Sequence, residues 1–140
     1  IKSRVTFEPG SKEHDRPMQG QSPYLINAGL FYRNERAGVS ASLMYNRIGK
    51  RIVGVGRKVG YEGMEVKVPD SYEMPRNTID INVTKRCDFE LRFGVRDLLA
   101  QKASFIQYEN TANGEIKQVN RQYRPGRTLN LSFTYKFTAK

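Results

Sequence analysis

Residues 127–137 read Arg-Thr-Leu-Asn-Leu-Ser-Phe-Thr-Tyr-Lys-Phe and alternate without a break. Leu129, Leu131, Phe133, Tyr135 and Phe137 share one parity; Thr128, Asn130, Ser132, Thr134 and Lys136 share the other. Successive side chains of a strand point to opposite faces, so this segment makes a strand that is apolar on one side and polar on the other. Its length suits a tilted strand crossing a bilayer's hydrocarbon core, about 9–11 residues. A soluble antiparallel strand with one buried face carries the same pattern. The choice turns on whether other segments repeat it and how they are joined.

Four further segments do repeat it. Tyr24–Asn34 sets Tyr24, Ile26, Ala28, Leu30 and Tyr32 against Leu25, Asn27, Gly29, Phe31 and Arg33. Its aromatic ends bracket an aliphatic middle, the arrangement of a membrane girdle. Gly38–Ile48 opposes Val39, Ala41, Leu43 and Tyr45 to Ser40, Ser42, Met44 and Asn46. Thr78–Arg86 puts Ile79, Ile81 and Val83 opposite Asp80, Asn82, Thr84 and Arg86. Phe89–Asp97 puts Phe89, Leu91, Phe93 and Val95 opposite Glu90, Arg92, Gly94 and Arg96. Ile1–Phe7 reads as the tail of another strand, bringing the expected number to about six.

The joints separate the two readings. Short turns near Glu35–Gly38 and Cys87–Asp88 alternate with connections of roughly 15 to 30 residues, long for a compact soluble domain. Outer-membrane barrels alternate short periplasmic turns with longer extracellular loops. Matching the apolar faces across the second turn requires an odd number of loop residues. One such register sets Arg86 opposite Glu90 and Asp80 opposite Arg96, both favourable charge pairings. Asn113-Gly114 is a hairpin signal, so Ala103–Tyr123 is expected to form its own small ribbon outside the wall.

Composition agrees with this reading or is silent. A mean hydropathy of −0.66 suits a soluble protein, yet a barrel whose strands are half polar and whose loops are wet escapes that inference. The formal charge of +10 is spread over loops and polar faces without a run of five like charges, so no nucleic-acid stripe is expected. Cys87 is the only cysteine and His14 the only histidine, which leaves no Ser-His-Asp or Cys-His set for catalysis. Gly54-Val55-Gly56 lacks the context of a phosphate-cradling loop. The expectation is a protein that is not an enzyme and that needs neither metal nor cofactor.

Several phrases are more specific. Gly20-Gln21-Ser22-Pro23-Tyr24 with Asn27, then Tyr45-Asn46-Arg47-Ile48-Gly49-Lys50-Arg51-Ile52, then Glu73-Met74-Pro75-Arg76-Asn77 with Ile79-Asp80, and finally Tyr135-Lys136-Phe137, keep an order across nearly the whole chain. Together they resemble the C-terminal barrel portion of Bacteroidetes TonB-dependent outer-membrane receptors. The resemblance implies an all-β, antiparallel, up-and-down transmembrane β-barrel segment, about six strands of a barrel of roughly 22 with its plug domain upstream. It implies the bacterial outer membrane and import of a scarce ligand. The implied partners are outer-membrane lipid, the plug and remaining barrel, TonB through the N-terminal part, the barrel-assembly machinery at the last strand, and a surface lipoprotein. The chain departs from the pattern in continuing past Phe137 with Thr138-Ala139-Lys140.

On this reading Asn27, Arg33, Ser40, Asn46, Asp80, Asn82, Glu90, Arg92 and Arg96 face a lumen, while Leu30, Leu43, Ile81, Phe93, Leu131, Phe133, Tyr135 and Phe137 face lipid. Tyr61, Tyr72, Tyr108 and Tyr123 in the long connections are candidates for stacking on a ligand. The alternative is a soluble basic β-sandwich or barrel binding nucleic acid or glycan, with aromatic–arginine neighbours such as Arg92-Phe93. It needs a second layer over the Leu129–Phe137 face.

Overall fold

The computed structural model describes residues 4–5, 16–61, 64–111 and 114–137. His14, Asn113 and the 138–140 tail lie outside these, as does the side chain of Tyr61. The described chain is all β, antiparallel and without a helix. Its strands are β1 (Arg4–Val5), β2 (Arg16–Pro17), β3 (Leu25–Asn34), β4 (Val39–Ile48), β5 (Arg51–Gly54), β6 (Lys58–Tyr61) and β7 (Met64–Lys67). They continue as β8 (Ser71–Glu73), β9 (Arg76–Arg86), β10 (Phe89–Arg96), β11 (Ala103–Thr111), β12 (Gly114–Tyr123) and β13 (Thr128–Tyr135).

The alternating segments come together as one five-stranded sheet in the order β13-β10-β9-β4-β3. Each of these five strands lies beside the next of the five in sequence, with β5–β8 and β11–β12 set aside in the two long connections. The β9–β10 ladder begins at Glu90↔Arg86 and runs to Val95↔Ile81, leaving 87–89 as an odd-numbered turn. Across it, β10 pairs β13 from Phe89↔Tyr135 to Arg96↔Thr128. Apolar residues therefore meet apolar ones in consecutive rows, such as Val83, Phe93 and Leu131. Arg86 N–H donates to the Gly38 carbonyl at 2.7 Å, which brings both short turns to the same end of the sheet. Gly38 is needed there: its φ is +62°, and a Cβ would fall 2.1 Å from the Arg86 carbonyl oxygen.

The sheet is open. β13 and β3 stand at its two ends, so the five strands do not close into a barrel. The expected strand at Ile1–Phe7 does not join it; Arg4–Val5 pairs instead with Arg16–Pro17 in a separate two-stranded ladder. Phe137 lies beyond the last strand, which ends at Tyr135.

The long connections build a second unit. The ribbon at Ala103–Tyr123 forms as β11 and β12, but it is not solitary: β8 and β5 add to it in the order β12-β11-β8-β5. Ile106, Tyr72 and Ile52 lie in one cross-strand row. Burying Ile52 (5% exposed) and Ile106 (3%) there gives this unit a small core of its own, which Ala103 completes. β6 and β7 make a separate hairpin. The described residues of the glycine-rich stretch 48–77 thus form strands, with Ile52 paired to Tyr72 and Tyr72 paired in turn to Ile106 of a distant connection.

Candidate functional site

The five-stranded sheet has two chemically distinct faces, and each is assembled from several strands. On the polar face the Asn46 side-chain amide donates to the Asn27 side-chain Oδ1, joining β4 to β3. The Asn82 amide reaches the Ser42 hydroxyl at 3.5 Å, joining β9 to β4. Glu90 accepts from Arg86 at 3.0 Å and also from Arg92, so one carboxylate holds two guanidinium groups. These are exposed pairs, worth little in stability, but they fix the direction of three charges. Arg33 lies 3.7 Å from Glu35. Between them the face is concave, with a cavity of about 690 Å³ whose walls include Phe31, Arg33, Ser40, Asn82 and Arg86.

One expected pairing is corrected. Asp80 does not pair with Arg96; its carboxylate accepts the Asp97 backbone N–H at 2.9 Å. Asp97 in turn takes the Arg76 guanidinium at 2.5 Å. The reason is local: the chain turns at Asp97, with φ +52°, and presents an amide to Asp80 before the Arg96 side chain can. The register itself agrees with expectation up to Val95↔Ile81. Arg96, opposite Thr128, remains exposed.

The apolar face is the unusual one. Leu30 is 71% exposed, Leu131 73% and Phe133 64%. Leu43 and Phe93 on the inner strands are also exposed, and Ile81 is half-buried. Among the described residues of this unit only Val95 counts as a buried apolar side chain. Fully burying a side chain of this size is worth ~1.5–3 kcal/mol. Half a dozen left in water forfeit on the order of 10 kcal/mol, as much as an ordinary domain's whole net stability. A single-layer sheet with such a face needs something to cover it.

The rim of that face near the short turns is aromatic. Phe89 packs on Phe133 with centroids 5.3 Å apart, and Tyr135 meets Phe137 edge-on at 4.8 Å. Lys85, opposite Leu91, falls on the apolar parity and escapes it by donating its ammonium to the Ala37 carbonyl at 2.6 Å. This is snorkelling: the stem covers apolar surface while the charge reaches a polar group at the edge. Parity alone could have found Lys85 in the sequence. At the opposite end the Tyr45 hydroxyl donates to Asn77 at 2.8 Å.

Of the tyrosines expected to meet a ligand, Tyr72, Tyr108 and Tyr123 are engaged with their own chain. Tyr72 and Tyr108 meet edge-on, and the Lys50 ammonium sits 4.1 and 4.2 Å from their ring centres. Tyr123 stacks on Phe105, with the Arg121 guanidinium 4.9 Å from its ring. No group of three or more metal-ligating side chains occurs among the described residues. Comparison with protein-family models, with curated proteins and with solved structures finds no match to this chain.

Proposed function

We propose that the five-stranded sheet is part of the wall of an outer-membrane β-barrel, its apolar face against acyl chains and its polar face toward a lumen. The observation that carries this reading is the apolar face itself: five hydrogen-bonded strands whose large apolar side chains stay exposed from Leu30 on β3 to Leu131 on β13. Lipid solvates such a face without a second protein layer. The aromatic rim and the snorkelling Lys85 support a membrane boundary at the short-turn end. The two open edges support a wall that other strands complete, since a long unpaired edge is an association hazard in isolation.

The likeness of the ordered phrases from Gly20 to Phe137 extends the proposal to a TonB-dependent receptor that imports a scarce ligand. Asn27, Arg33, Asn46, Asn82, Glu90 and Arg92 then line the passage as a hydrogen-bonded polar lattice. The soluble sandwich gains no support, since it needs a layer over a face that is exposed. Detergent dependence tests the proposal. A wall segment stays with the membrane fraction after alkaline carbonate washing, enters solution only with detergent, and migrates differently in electrophoresis before and after boiling. A chain monodisperse in plain buffer refutes it.

A further inference from the structure

Phe31 stands on the polar parity of β3, between Gly29 and Arg33, where a solvated wall calls for no ring. It is 78% exposed and forms one wall of the 690 Å³ cavity on the concave polar face. The ring has a seat. It leans back over Gly29, where a Cβ would fall 3.0 Å from its Cε2 and 2.9 Å from the Met44 Sδ. The absence of a side chain at Gly29 is what makes room for the ring, with the Met44 thioether beside it. Seated on one side and largely exposed, Phe31 presents a π-face to the cavity. The rest of the wall is mostly neutral and hydrogen-bonding. Ser40, Ser42, Asn82 and Thr84 line it with hydroxyls and an amide, each able to donate and to accept. The two cations there are offset by acids, Arg33 lying 3.7 Å from Glu35 and Arg86 2.9 Å from Glu90.

We propose that this cavity is a sugar site, with Phe31 as the stacking platform for a neutral pyranose. The C–H bonds on the flat side of a pyranose carry partial positive charge and meet the negative face of an aromatic ring. Its hydroxyls need short donors and acceptors around that ring. A phenyl group among serine, threonine and asparagine supplies both. A planar anion would also stack, but each guanidinium that would hold its charge already sits beside a carboxylate. The volume exceeds one pyranose ring and accommodates a disaccharide. The site stands on β3, β4 and β9 alone. That its sugar is cargo passing along a lumen rests on the wall reading above.

The test titrates the full chain, in micelles of lauryldimethylamine oxide, which carries no sugar headgroup, with cellobiose, maltose and lactose, and with benzoate as the planar anion. Saturation-transfer NMR reads the binding. At least one disaccharide should bind in the millimolar range and more tightly than benzoate. Phe31→Leu, which keeps an apolar side chain without a π-face, should weaken it about fivefold or more, whereas Phe31→Trp should stay within about twofold. Gly29→Ala should weaken it by a similar factor, because the added methyl unseats the ring. Phe133→Leu, which removes a ring from the opposite face, should change it by about twofold or less. Unchanged thermal unfolding shows that each variant is folded. No disaccharide bound at tens of millimolar, tighter binding of benzoate, or equal losses for Phe31→Leu and Phe133→Leu overturns the proposal. A chain that needs no detergent is titrated in plain buffer, so failure of the wall reading is seen separately; sugar binding there keeps the site and removes only its place in a membrane passage.

Discussion

Leu131 and Asn130 are neighbours on β13, both exposed, and differ chiefly in the face they occupy. Leu131→Arg should cost about 2–4 kcal/mol in bilayer-coupled unfolding if the site is near the midplane, while Asn130→Arg should cost little. Equal costs would remove the distinction between the faces. Gly38→Val is a different kind of change. It puts a β-branched side chain at a positive φ and against the Arg86 carbonyl, so a loss of about 1–3 kcal/mol and slower assembly of the β3–β4 turn are expected in refolding. Lys85→Glu should reduce insertion efficiency more than Lys85→Met, because the carboxylate has no proton to donate to the Ala37 carbonyl and leaves a charge at the apolar rim. At this scale the sequence was informative wherever parity decides, as at Arg86 and Glu90. It was silent where a backbone turn intervenes: Asp80 looked like a partner for Arg96 because the amide of Asp97 cannot be seen in a charge pattern.

Among the elements, the five sided strands were legible because period-two alternation survives any neighbour. Their bounds shift by a residue or two, as at Arg76 and Tyr135, where strand ends depend on pairing. The four-stranded sheet was only half visible. Asn113-Gly114 marks the β11–β12 ribbon, but its union with β5 and β8 depends on contacts between connections far apart in sequence. Ile106→Asp should expose this dependence. It places a charge where a side chain is 3% exposed, so the four-stranded sheet should become protease-sensitive while β9, β10 and β13 keep their protection in detergent. Cleavage spreading at once through both units would mean that they fold as one.

For the molecule as a whole, the balance of buried and exposed apolar surface is what argues for a membrane. Four apolar side chains count as buried among the described residues, and three of them belong to the smaller sheet. The larger sheet has a greasy side and no core of its own, which water cannot stabilise and a bilayer can. The direct measurement is the accessibility of nitroxide labels placed one at a time along 128–135 in reconstituted bilayers. Positions 129, 131, 133 and 135 should relax with dissolved oxygen and 128, 130, 132 and 134 with a water-soluble nickel complex, in strict alternation. Odd-numbered labels that are reached by neither reagent, as inside a packed protein layer, would contradict the account.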